Sequence, residues 1–382
     1  LKQAIDNVRR VYKPEIIGIV TTCLAETIGE DVRRTADGYL KSRPDDALRL
    51  VTASTPGYGD SYTEGWQVMV KSLVSQLAQP TERHGGLNII TAPLSPADIR
   101  ELKRLLAEMR IEYTLLPDYS ETLDRPYASD YAKLPAGGTR AEAIANMSGA
   151  RATIMLGWTG RDELSAGRWL EANYGVPCFE LPLPIGLENC DRLLDCLSSV
   201  AGVPVPKRLA GERGRLLDAM VDSHKYNFAG RAVVFGDPDW VYATTTLCLE
   251  NGILPLAAAT GSRTARLAAR LGDRLDKERE TCQVISGADF AMIRALAEEC
   301  GANLAIGPSE GRVLEEKCGI PLVRLGFPIH DRVGGQRQLS LGYAGTTQLL
   351  DRITNTLLEH KHKHYRSKMA AAFYRPEACA TE

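Results

Sequence analysis

The sequence predicts an α/β protein made of several doubly wound units with parallel sheets. Three observations predict it. Short apolar runs alternate with helical patterns through almost all of the 382 residues, and that alternation is the signature of parallel strands wrapped by helices. There are more than ten such runs, which exceeds what one open sheet usually holds. Polar, Gly- and Pro-containing joints divide them, and the length suits two or three domains of about 100–200 residues each.

The elements follow in order. Leu1 to Tyr12 reads as a helix with Leu1, Ala4, Ile5 and Val8 on one face. The chain opens inside that helix and without Met, which suggests that upstream residues are missing. Strands are predicted at Ile16–Thr21, Leu48–Ala53, Leu87–Thr91, Tyr113–Leu116, Ala152–Leu156 and Pro177–Leu181. Five more are predicted at Ala232–Phe235, Leu254–Ala258, Gln283–Ile285, Leu304–Ile306 and Leu322–Leu325. Helices are predicted between them, among others at Pro96–Met109, Asp162–Tyr174, Lys207–Asp222, Trp240–Glu250, Arg263–Leu271, Ala288–Cys300 and Thr346–Glu359. The linker Gln79–Gly86 closes a first unit, residues 1–86. The prolines of Gly202–Lys207 block helix continuation and separate a second unit, 87–205, from a third, 206–359. In the tail, 360–382, His and Lys alternate from His360 to His364, as suits a solvated helix end that favours cations.

Bulk properties exclude several classes. A formal net charge of −2 argues against a nucleic-acid surface. No apolar run reaches the roughly 18 residues of a membrane span, and no signal peptide is present. The nine cysteines are scattered, without a CxxC pair, which suits a reducing cytoplasm rather than a disulfide framework. No phosphate-binding GxxxxGK[ST] loop, GxGxxG or HExxH motif is present.

Chemistry concentrates at strand ends, where open α/β sheets bind ligands. Cys23 directly follows the first strand. Its thiolate would be a soft ligand suited to iron–sulfur chemistry, and the alternative is a small buried hydrophobe. Three Gly-rich loops also follow strands: Thr55–Tyr62, Gly236–Trp240 and Gly326–Arg332. Turn chemistry accounts for each of them. Asp237 and Asp239 read as helix caps, His330 as a buried hydrogen-bonded histidine, and Thr139 as the cap of a helix over Arg140–Met147.

Taken together, several segments resemble the β subunit of nitrogenase component 1. They are Val20–Val32 with its Thr-Thr-Cys core, Thr55-Pro56 through Gly65-Trp66, Leu115–Asp118 with Leu123-Asp124, Gly137–Thr139, Val234–Asp239, and Pro321–Arg332 with Gly342-Tyr343. The order is collinear over nearly the whole chain. The resemblance implies three Rossmann-like domains. It implies a homologous α-type subunit in an α2β2 heterotetramer, and an ATP-hydrolysing iron protein as electron donor. It also implies an eight-iron, seven-sulfur P-cluster shared between the two subunits. Cys23 matches the cysteine ligand of the Thr-Thr-Cys motif, and Ser61 a serine that could ligate the oxidised cluster. The family's two upstream cluster cysteines lie before this chain begins. The substrate site falls on the α-type subunit, so the substrate cannot be named. Two alternatives share the fold: a cofactor-assembly scaffold and a methylthio-alkane reductase-type subunit. A cysteine at position 23 with Ser61 favours the electron-relaying subunit.

Overall fold

The computed structural model of the chain describes residues 1–43, 47–58, 60–278 and 281–373. Gly59 of the first Gly-rich loop and Cys379 lie outside the described residues. The described strands form three separate, wholly parallel sheets.

The first sheet pairs β1 (Ile16–Val20) with β2 (Arg49–Ala53). Around it lie α1 (Lys2–Tyr12), α2 (Cys23–Thr27), α3 (Val32–Lys41) and α4 (Tyr62–Leu77). Its own core is small: Ile5, Ala36, Tyr39, Leu48 and Leu50. On its other side Val51 and the α4 residues Val70, Val74 and Leu77 join a cluster that reaches Ile90 and Leu116 of the second sheet.

The second sheet holds β3 (Leu87–Thr91), β4 (Tyr113–Leu116), β5 (Ala152–Leu156) and β6 (Cys178–Leu181), in the order β4-β3-β5-β6. All five residues of β3 are buried. A central parallel strand is covered on both faces, and its one buried side-chain amide, Asn88, donates to the Met147 carbonyl and Thr153 Oγ1. Its helices are α5 (Pro96–Glu108), α6 (Ala141–Ala145), α7 (Ala166–Tyr174) and α8 (Leu187–Ala201). Ser95 accepts the Asp98 amide at the start of α5, with Pro96 in the first turn, a pairing suited to a helix N-terminus. Gly202 ends α8 in the left-handed conformation, at φ 71°, which a β-carbon would penalise.

The third sheet contains β7 (Arg231–Gly236), β8 (Leu254–Thr260), β9 (Gln283–Ser286), β10 (Leu304–Gly307) and β11 (Leu322–Arg324). Its order is β11-β10-β7-β8-β9, so the winding reverses between β7 and β10. It is flanked by α9 (Lys207–Asn227), α10 (Pro238–Glu250), α11 (Ala265–Glu278), α12 (Phe290–Glu299), α13 (Arg312–Cys318) and α14 (Gly342–Phe373). One continuous cluster of buried apolar side chains joins the second and third sheets, from Leu87 and Ile154 to Val234, Leu247 and Ile306.

All eleven predicted strands are present, within two residues at each end. Helices differ more. The last begins at Gly342 and continues through the His/Lys alternation to Phe373. The predicted Asp162–Tyr174 helix divides into a 3-10 turn and α7, because Ser165 caps the second piece by accepting the Arg168 amide. Thr139 does not cap α6. Its hydroxyl donates to the Leu115 carbonyl and accepts the Asp118 amide, so it ties the 137–139 turn to the end of β4.

Candidate functional site: a strand-end thiol and a three-loop cavity

Cys23 opens α2 directly after β1, beside the loop that leaves β2. The polar residues around it fix that loop. Thr55 N–H donates to Thr21 Oγ1 at 3.1 Å, and Thr55 Oγ1 donates to the Thr21 carbonyl at 2.9 Å. Glu26 Oε1 accepts from both Thr21 Oγ1 and Ser54 Oγ at 2.5 Å. Those hydroxyl donors, Ser54 foremost, hold the Glu26 carboxyl below its usual range. The result places the Gly57 amide against the thiol: Gly57 N–H donates to Cys23 Sγ at 3.0 Å.

The thiol is exposed. That removes the buried-hydrophobe reading of Cys23. Around it stand apolar side chains that are also exposed: Val20, Leu24, Ile28 and Tyr58. Among the described residues, no three His, Cys, Asp or Glu side chains converge as a metal site. A single exposed thiol with one amide donor can supply at most one ligand to a metal group. An exposed sulfur with an amide donor is the kind of ligand whose potential hydrogen bonding and burial tune. Glu26, inside the Val20–Val32 segment, carries no obvious role in the local sequence. The signal was the Thr21/Glu26 spacing across a strand-to-helix turn.

Ser61 is placed elsewhere. It occupies the N-cap position of α4 but makes no capping hydrogen bond. Its hydroxyl pairs with Ser262 Oγ at 2.5 Å, beyond the end of β8. No hydrogen bond joins it to Cys23 among the described residues; the loop residue against the sulfur is Gly57.

The three Gly-rich loops converge on one cavity of about 510 Å³, to which they contribute Ser61, Gly236 and Gly326. Asp237 lies in its wall and ties the first sheet's loop to the third sheet. Its Oδ2 accepts from Tyr62 OH and Thr63 Oγ1, both at 3.1 Å, and its Oδ1 accepts the Asp239 amide at 3.3 Å. Burial, with the Asp239 charge adding to it, pushes the Asp237 carboxyl up to about 7. Asp237 therefore caps α10, as its sequence position predicts, and does more. Asp239 crosses to the second sheet, where its Oδ1 accepts the amides of Trp158 at 2.9 Å and Thr159 at 3.0 Å. Burial raises its carboxyl as well. Trp240 Nε1–H donates to the Pro93 carbonyl at 3.0 Å. His330 is exposed rather than buried, and its Nε2 lies 2.8 Å from Glu310 Oε1.

Comparison with known proteins places the fold and the family. The family model for nitrogenase component 1 type oxidoreductases matches residues 1–358. The β chain of the nitrogenase molybdenum–iron protein from Clostridium pasteurianum is 32% identical over 366 residues, 94% of this chain and 79% of that one. The β chain of the vanadium–iron protein from Trichormus variabilis is 34% identical over 362 residues, covering 91% of this chain and 77% of that one. A solved chain of nitrogenase Cp1 at pH 6.5 superposes with a TM-score of 0.90 at 31% identity, covering 95% of this chain and 79% of that one. No described helix is long and apolar enough to cross a membrane. Rossmann-like sheets, the Thr-Thr-Cys strand end and these matches converge: the chain belongs to the β-subunit family of nitrogenase component 1.

Proposed function

We propose that this chain is the β-type subunit of a nitrogenase or nitrogenase-like reductase. With Cys23 it would hold half of an interfacial P-cluster that relays electrons from an ATP-hydrolysing iron protein to a cofactor in the α-type subunit. The observation that carries this reading is the exposed Cys23 thiol, which receives the Gly57 amide and stands amid exposed Val20, Leu24, Ile28 and Tyr58. Bare apolar groups around a thiol describe half of an interface. The relatives named above are β chains of molybdenum–iron and vanadium–iron proteins, which supports an α-type partner, an α2β2 assembly and a cytoplasmic setting. The substrate site belongs to the α-type subunit in this reading.

Each side chain has a defined task. Cys23 would supply a thiolate to iron, and the Gly57 N–H would stabilise negative charge on that sulfur. Glu26, Thr21 and Thr55 hold the two loops in register. Ser61 is the second proposed ligand, in the oxidised state only, where harder iron favours an oxygen donor; to serve, its hydroxyl must leave Ser262.

Co-expression of the chain with its α-type partner tests the reading. Cys23→Ala should lower iron per heterodimer and abolish or greatly reduce electron transfer, with the melting temperature nearly unchanged because the side chain is exposed. Full iron and full activity in the variant would overturn the assignment. Turnover with the iron protein and ATP separates an electron-relaying subunit from an assembly scaffold, which would show none.

A further inference from the structure

In open α/β sheets the crevice at the strands' carboxyl ends, where the winding reverses, is the favoured ligand position. The third sheet reverses between β7 and β10. The 510 Å³ cavity sits there, between Gly236–Asp237 after β7 and Pro308 after β10. Its size falls within the roughly 300–1,000 Å³ of small-molecule sites. The equivalent reversal in the second sheet, between β3 and β5, is blocked: Trp66 lies there with its Nε1–H donating to the Thr91 carbonyl at 3.0 Å.

The lining selects the ligand. Phe235, Trp240, Phe290 and Phe327 supply aromatic surface. The carboxyls are Asp237 and Glu310, and no Lys or Arg lines the space. The one basic group, His330, is paired with Glu310. Aromatic faces and carboxylates both attract cations, and the positive end of α4, which meets the cavity at Ser61–Thr63, is already answered by the Asp237 carboxyl that Tyr62 and Thr63 donate to. Asp237 accepts three hydrogen bonds, while an ionised carboxylate has about four acceptor positions. The remaining position, on Oδ1, is the one a ligand donor would take.

We propose that this cavity binds a small organic cation: an ammonium group on a flat apolar body. The ammonium would lie against Asp237 and the apolar body among the rings. Ser61 lines the cavity, but the assignment asks nothing of its hydroxyl or of Cys23 and holds whether or not either ligates a cluster.

The test is calorimetric titration of the full chain, alone and in complex with its partner, at about pH 8, above the raised Asp237 carboxyl. The probes are phenethylamine, uncharged phenethyl alcohol and phenylpropionate. Phenethylamine should bind at least about tenfold tighter than the alcohol, the scale of one charge-assisted hydrogen bond, and phenylpropionate should not bind. Asp237→Asn should erase the preference for the amine. Gly261 lines the cavity, and a β-carbon there meets only the Ala288 carbonyl, at 3.7 Å. Gly261→Leu would therefore fill the space and should abolish amine binding. Equal affinity for amine and alcohol, no amine binding, or amine binding that survives Gly261→Leu each overturns the proposal. The three-probe comparison on the unmodified chain decides it even where a variant fails to fold.

Discussion

At the scale of the residue, exposure separates Cys23 from the thiols that pack. Cys178, Cys190 and Cys248 are buried, and burial pushes the Cys178 and Cys248 thiols up to about 12. They are packing atoms. Cys23 is the opposite case, and its position after a strand was legible because an apolar run stops there. The Gly57 amide was not, because the contact crosses 34 residues and depends on how β1 and β2 pair. His330 and Thr139 show the same limit: each bonds to a group that the local sequence does not contain. Ser61 has a definite duty toward Ser262. Ser61→Ala should cost about 1 kcal/mol through that one hydrogen bond. A ligand role would add a shift of the oxidised couple with the reduced spectrum unchanged. Thermal melting beside a redox titration reads both, and an unshifted midpoint removes Ser61 from the ligand set.

Strands were legible from short apolar, β-branched stretches at a regular spacing, even where Arg49, Asn88, Gln283 or Arg324 enters them and even in the little-buried β1 and β9. Helix ends were set by contacts the periodicity does not carry, such as Ser165 dividing Asp162–Tyr174. The start of α10 is the clearest case. Asp239 reads as a cap, yet its carboxylate serves the turn after β5, where Gly157 has φ 132° and a β-carbon would stand 2.8 Å from Asp239 Oδ2. Gly157→Ala should therefore destabilise by about 2 kcal/mol, from backbone strain and the clash. Asp239→Ala should cost about 3 kcal/mol, because two buried amides lose their acceptor. Denaturant midpoints measure both. The pair should be strongly non-additive, since both changes break the same contact.

Across the whole molecule, buried carboxylates make stability depend on pH. Burial raises Asp98 from an ordinary 3.8 to about 6, and Asp237 from 3.8 to about 7. The folded chain thus holds these protons more tightly than the unfolded one. Their contribution to stability is complete below about pH 4 and is lost as pH rises through about 6 to 7. Carboxyls held low act in the opposite sense: Asp118 through Lys103 and Ser120, and Asp331 through Ser309 and Arg324. A comparison isolates the Asp237 share. Relative to the parent, Asp237→Asn should gain stability as pH rises from about 4 to about 7, and parallel curves of unfolding midpoint against pH would refute this.

Asp98 also has a consequence for connectivity. It accepts the amides of Ser340 at 2.7 Å and Leu341 at 3.0 Å, across 242 and 243 residues. With the Trp240–Pro93 and Asp239–Thr159 bonds, it joins the two larger sheets through groups that water would otherwise have to satisfy. The covalent path between those sheets runs only through residues 202–206, between α8 and α9. Continuity of the chain there is geometrically cheap to give up. Two polypeptides divided at Val205 and produced together should find each other and reassemble, whereas each made alone should aggregate.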